Sequence, residues 1–197
     1  MKFEGITMKS FFLGLAIALT SFVPANANEM EDALRDYLQN HIASWANDGV
    51  ILTAIQSQNT QTSDYDQATI DEMDTLWRAY GGSPDAEIVQ NVIQNAAADF
   101  LREQVAASGG AITEVFVMDA RGLNVAASEP TSDYWQGDED KFQKTYSIGP
   151  SAIHIGEIEL DDSTKTVQSQ VSITVVDQAS GEAVGALTVG IDLTALM

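Results

Sequence analysis

Two periodicities divide the chain. Up to about Ala107 apolar residues recur every three to four positions; from Ala111 onward they recur every second one. Leu34, Leu38, Ile42 and Trp45, then Leu52 and Ile55, fall near a single stripe, which predicts a long amphipathic helix capped by Asn28. Asp48-Gly49 is a place for it to kink or end. The polar run TQTSDYDQ is expected to be a loop. Thr69-Ile70-Asp71-Glu72 has the form of a capping box and opens a second helix, IDEMDTLWRAY, which Gly81-Gly82 stops. Ser83-Pro84-Asp85 supplies an N-cap and a proline at the first helical position of a third. The broad apolar face of Ile88, Val92, Ala96 and Phe100, beside Val89, Ile93, Ala97 and Leu101, carries that helix to about Ala107. Ser108-Gly109-Gly110 closes the helical half.

The second half reads as strands. ITEVFVMD and LNVAASE form a hairpin about the tight turn Asp119-Ala120-Arg121-Gly122. SAIHIGEIELD is a third strand, Asp161-Asp162-Ser163-Thr164 a turn, TVQSQVSITVVD a fourth strand, Gln178-Ala179-Ser180-Gly181 a turn, and EAVGALTVGIDL the last. The fold class is therefore α+β: a long N-terminal helix and further helices, followed by a five-stranded antiparallel sheet. Alternation assigns Val167, Val171, Ile173 and Val175 to one face of the fourth strand, and Gln168, Gln170, Ser172 and Thr174 to the other. On the last strand Leu187, Val189 and Ile191 oppose Thr188, Gly190 and Asp192. Two neighbouring strands thus share a polar face, which borders either solvent or a ligand.

The first residues fall outside both patterns. Lys2 and Lys9 precede an apolar run from about Phe11 to Val23, and Ala25-Asn26-Ala27 has the A-x-A form of a signal-peptidase site. The run is short for a membrane span, so cleavage after Ala27 and export to the periplasm are expected, with a retained anchor as the alternative. Met1 or Met8 could serve as the start. The expected division is a signal peptide at 1–27, a helical segment at 28–110, and a sheet with its long loop at 111–197. There is no cysteine, which removes disulfides and thiolate chemistry. The formal net charge of −20 repels phosphate backbones and anionic lipid, so no nucleic-acid partner is expected.

One connection stands out. TSDYWQGDEDKFQKTY, residues 131–146, is long for a compact domain and too aromatic for a disordered linker. Tyr134, Trp135 and Tyr146 offer flat walls with polar handles, and Lys141 or Lys144 could pair with a carboxylate. Trp135 and Phe142 could equally pin the loop to the sheet.

In order, these motifs resemble the Cache (PDC, extracytoplasmic PAS-like) sensor domains of bacterial chemoreceptors and sensor kinases. The pieces are the hairpin at Asp119 to Gly122, the aromatic loop at Tyr134-Trp135, and the closing strand from Gly185 to Leu193, over about residues 29 to 194. The resemblance implies a PAS-like sheet and a small molecule held between the sheet and the loop. It also implies that Asp192 accepts a ligand ammonium; Asp192 could instead cap the C-terminal tail. The expected ligand-binding set is Tyr134, Trp135, Lys141, Tyr146, Gln170 and Asp192. Receptors of this family continue into a membrane helix and an output module, whereas this chain stops after its last strand, so a module without its own transmitter is expected. The alternative is an accessory protein that docks on a membrane sensor kinase or chemoreceptor, or dimerises through its N-terminal helix.

Little points to catalysis. His41 and His154 lie in separate segments without an H-E-x-x-H arrangement, and there is no G-x-S-x-G elbow or Walker loop. Asp133, Asp138, Glu139 and Asp140 lack the spacing of a calcium loop. No cofactor, metal or enzymatic activity is expected.

Overall fold

The computed structural model describes residues 25–81, 83, 85–160 and 167–196. The leader run up to Val23 and the turn at Asp161–Thr164 lie outside them. Helix α1, Ala25–Tyr37, continues as a π-helical turn, Leu38–Ile42. Asn28 is therefore inside α1 and not its cap. Leu34, Leu38 and Ile42 are buried, as the stripe requires. Asp48 ends this segment by starting the next: its backbone is extended and its carboxylate accepts from Val50 N–H at 2.9 Å, capping α2, Gly49–Thr62.

Helix α3, Gln67–Tyr80, starts earlier than the expected capping box. Asp66 is the cap, with Oδ1 accepting from Thr69 N–H at 2.9 Å and from its hydroxyl at 2.8 Å. Gly81, in the left-handed conformation at φ 54°, ends α3. The next stretch is two helices, α4 (Glu87–Ile93) and α5 (Ala96–Ala107). Ala86, not Ser83, occupies the cap position of α4. Asn95 makes the break. Its carboxamide oxygen caps α5 at Ala98 N–H, 2.9 Å, and its amide donates to the carbonyls of Asn91, Val92 and Val125. Those bonds exchange helix continuity for a tie to the sheet.

The strands are β1 (Ile112–Met118), β2 (Asn124–Ala127), β3 (Ile153–Ile155), β4 (Glu159–Leu160), β5 (Val167–Val176) and β6 (Ala183–Asp192); a short helix α6, Asp140–Gln143, lies in the long loop. The order is β2-β1-β6-β5-β3, all antiparallel, with the two-residue β4 also on β5. The third strand of the sequence reading is thus split about Gly156 into β3 and β4. No helix among the described residues is long and apolar enough to cross a membrane.

Alternation sends Val115, Val117, Val171, Ile173, Val175, Leu187, Val189 and Ile191 to one face, where they pack with Leu34, Leu38, Ile42, Ile51, Ile55 and Leu101. Each fully buried aliphatic side chain contributes about 1.5–3 kcal/mol relative to exposure, so this layer holds the helices to the sheet. A second core lies at the other face. Phe116, Met118, Leu123, Ala127 and Ala186 meet Trp77, Val89, Val92, Tyr134 and Phe142 there.

Candidate functional site

Cross-strand register builds the second face in rows. His154, Ser172, Thr188 and Phe116 lie side by side across β3, β5, β6 and β1, and Gln170, Gly190 and Glu114 form the adjoining row. Ser172 and Thr188 are fully buried and share a hydrogen bond of 2.9 Å. The polar face read from the sequence is thus covered, and its hydroxyls are satisfied under the cover. At Gly190 the missing side chain is used. A Cβ there would lie 2.5 Å from Thr113 Oγ1 and 2.7 Å from Glu114 Cγ. Glu114 instead crosses the gap, and its Oε1 accepts from Gln170 Nε2 at 2.8 Å.

The cover is the 131–146 loop, held by several independent anchors. Tyr134, Trp135 and Gln136 run beside residues 122–124: Asn124 N–H donates to Tyr134 O at 3.0 Å and Gln136 N–H to Gly122 O at 2.8 Å. Gly122 has φ +80°, and a Cβ on it would strike Gly137 Cα at 2.5 Å, so the hairpin turn and the loop need glycines where they touch. Buried Asp74 accepts from the backbone N–H of Tyr134 at 2.9 Å and of Trp135 at 3.1 Å, and pairs with Arg78. Trp77 stacks on Tyr134 with ring centroids 5.6 Å apart and donates from Nε1 to Thr131 O at 2.9 Å. Under the hairpin, the buried Asp119 carboxylate accepts from Arg121 N–H, Leu123 N–H, Thr62 Oγ1 and Gln58 Nε2 at 2.8–3.1 Å.

Between loop and sheet lies a pocket of about 250 Å³ lined by Glu114, Phe116, Thr131, Ser132, Gln136, Lys141 and Gln170, with Pro130 at its edge. Lys141 Nζ sits 5.4 Å from the centroid of the Phe116 ring, 2.9 Å from Glu139 Oε2 and 3.2 Å from Gln136 Oε1. A second recess of about 280 Å³ is lined by Lys141 and Gln170 together with Glu139, Gly156, Glu157 and Glu159. The two hollows therefore share a wall made of one cation and one carboxamide.

Of the six expected site residues, the structure brings two together here, Lys141 and Gln170. Tyr134 turns to the helical side, where it is buried and lines a different cavity. Trp135 is half-buried, donates from Nε1 to Arg121 O at 2.9 Å and lines an acidic recess with Asp71, Asp74, Arg78 and Asp138. Tyr146 stacks on Phe142 with centroids 5.1 Å apart. Asp192 Oδ1 accepts from the backbone N–H and hydroxyl of Thr194 at 2.8 and 2.6 Å, which caps the final 3₁₀ turn, Leu193–Leu196. Glu114, Phe116 and Gln136 were not singled out from the sequence. Their place depends on register and on the path of the loop, neither of which is local.

Tyr134 and His154 are among the groups around the loop that titrate away from their ordinary values. Burial pushes the Tyr134 phenol up, with the nearby Asp119 and Tyr65 adding to it. His154 is pushed down by burial, and further by Lys144, against a smaller opposite pull from Asp140. Among the described residues no group of three or more His, Cys, Asp or Glu is arranged to hold a metal ion.

No family model matches the sequence, and no curated protein matches it. Similarity is found among solved structures. The sensory domain of the Campylobacter jejuni chemoreceptor Tlp3 aligns with a TM-score of 0.41 at 12% identity, over 86% of this chain and 66% of that one. The sensor domain of the V. cholerae histidine kinase DctB aligns at 0.33 and 17% identity, over 87% and 58%. The ligand-binding domain of the Pseudomonas aeruginosa PAO1 amino acid chemoreceptor PctC, in complex with GABA, aligns at 0.39 and 11% identity, over 87% and 60%. The chain spans less than two thirds of the length of each of these.

Proposed function

We propose that this chain is an exported sensory domain that binds a small amphoteric molecule of the amino-acid kind in the pocket between the sheet and the 131–146 loop. The observation that carries this reading is the pocket's lining: one cation, Lys141, over the Phe116 ring, and one carboxylate, Glu114. Lys141 has three N–H donors, of which two are directed to Glu139 and Gln136, and the third is available to a ligand carboxylate. Glu114 is steadied through one oxygen by Gln170, which leaves the other to accept from a ligand ammonium. Phe116 supplies apolar contact for the carbon skeleton between the two ends. Tyr134, Trp135 and Tyr146 serve by fixing the loop, and Asp192 by capping the C-terminal turn. Export rests on the leader pattern that ends at Ala25-Asn26-Ala27.

A thermal-shift screen against neutral L-amino acids, 4-aminobutyrate, short monocarboxylates and monoamines tests it. A ligand at a hundred times its dissociation constant stabilises by about 2.7 kcal/mol, a shift of a few degrees for a domain of this size. Amphoteric compounds should shift the melting point most, and the shift should vanish in Lys141→Ala and Glu114→Gln. Equal shifts in both variants would remove this pocket from the reading, and no shift from any compound would reject the ligand class.

A further inference from the structure

A cavity larger than the loop pocket lies elsewhere among the described residues. It is a cleft of about 920 Å³ on the helical side, walled by α2, α3, the α4–α5 junction and β2, and closed at one end by Tyr134. Three features of its lining belong together. First, no charged side chain lines it, in a chain whose formal net charge is −20. Val50, Ala54, Met73, Ala97 and Val125 supply apolar wall, while Ser57, Gln61, Tyr65 and Asn91 supply neutral polar groups. Second, Tyr134 is 6% exposed, and its hydroxyl, which has no hydrogen-bond partner among the described residues, opens to the cleft and is not sealed in the core. A hydroxyl open to a cleft and bonded to no other side chain is available to exchange water for a ligand group. Third, the framework is already committed elsewhere. Asn95 caps α5 and holds β2, and Gln58 and Thr62 hold Asp119, so the cleft is set by bonds that need no occupant.

From these features we infer that the helical cleft is a second binding site, for an uncharged ring compound bearing hydroxyl or carbonyl groups, with an oxygen that accepts from the Tyr134 hydroxyl. An ion is disfavoured because nothing in the lining offsets the loss of its hydration. Ser57, Gln61 and Asn91 can each donate and accept, which suits groups that do the same. The cleft volume is in the usual range for small-molecule sites and accommodates one or two rings. This inference is independent of the loop pocket, with which the cleft shares no lining residue.

Isothermal titration of the whole protein with D-glucose, D-ribose, maltose, uracil and adenine tests it, the sugars and the nucleobases being the two sources of this chemistry. At least one probe should bind. Tyr134→Phe, which keeps the ring and its stack on Trp77, should weaken that binding roughly three- to tenfold, the effect of one neutral hydrogen bond. Ala54→Phe should abolish it by filling the cleft, and Gln61→Ala, an exposed position that folding does not need, should weaken it. Lys141→Ala should leave it unchanged. Absence of binding by every probe would overturn the inference. So would full-strength binding to both Tyr134→Phe and Gln61→Ala, or loss of binding in Lys141→Ala, which would assign the probe to the loop pocket.

Discussion

The two faces of the sheet are made from the same strands and are nearly opposite in chemistry. Toward α1, α2 and α5 the inward positions from β1, β5 and β6 are mainly aliphatic, with Ser169 and Gly185 as exceptions. Toward the loop the same strands present Glu114, Gln170, Ser172, Thr174 and Thr188, with Phe116 and Met118 the apolar residues of β1. A polar sheet face that is nevertheless covered must satisfy its groups internally or reserve them for a ligand. Toward β3 the strand hydroxyls are satisfied: Ser172 bonds Thr188, and Thr174 donates to Gly149 O at 2.7 Å. Toward the Gln170–Gly190–Glu114 row, space is left. One face is thus committed to stability, and the other divides its polar groups between holding the loop and facing a pocket.

Substitutions should separate these roles. Leu187→Ala, in the middle of the aliphatic layer, is expected to cost about 2–5 kcal/mol by lost burial and cavity formation, read from chemical denaturation. Asp74→Ala should cost less, about 1–3 kcal/mol, because it leaves the Tyr134 and Trp135 N–H groups without their acceptor. Its signature should be local, with faster proteolysis within residues 131–146 than elsewhere. Gly190→Ala should cost about 1 kcal/mol, since the atoms it meets belong to side chains that can move. Displacing Glu114 from Gln170 should nonetheless remove ligand binding. If Gly190→Ala bound normally, the polar row would be structural, and the contrast between the faces would lose its functional half.

The smallest effect expected is a pH slope. His154 binds its proton less readily when folded than when unfolded, so its contribution is fully present above the ordinary histidine value of about 6.5. It is lost as pH falls below that value and the unfolded chain takes up the proton. Melting temperatures from pH 7.5 to 5 should therefore fall less steeply in His154→Gln than in the wild type. Parallel profiles would show that the histidine is insulated from the loop above it.

Where pattern and contact lie close in sequence, they agree. The alternation of β5 and β6 assigned residues to the correct faces, and Asp119 to Gly122 made the expected hairpin, because both depend on neighbours a few residues away. Asp48 was legible as a break for the same reason. The division at Asn95 was not, since it depends on a hydrogen bond to Val125 thirty residues on. The start of α3 was misplaced because Asp66 and Thr69 are both good caps, and pattern alone does not rank them. At the site, Lys141 and Gln170 could be picked out as polar groups on a loop and a polar face. Glu114 could not, because its role comes from the Gly190 gap beside it in a strand more than seventy residues away. The capping alternative for Asp192 is readable locally in Asp-x-Thr, a sequence that favours a side-chain turn, and the bonds to Thr194 agree with it.

The most direct test of the loop pocket is calorimetric titration of wild type and Lys141→Ala with 4-aminobutyrate, butyrate and butylamine, three compounds that differ only in their charged ends. If Lys141 holds the carboxylate and Glu114 the ammonium, 4-aminobutyrate binds best. Lys141→Ala then weakens it and butyrate by roughly 10- to 150-fold, the range of a charge-assisted hydrogen bond, while butylamine is unchanged. Equal losses for all three, or none, would contradict a pocket that reads the two ends separately.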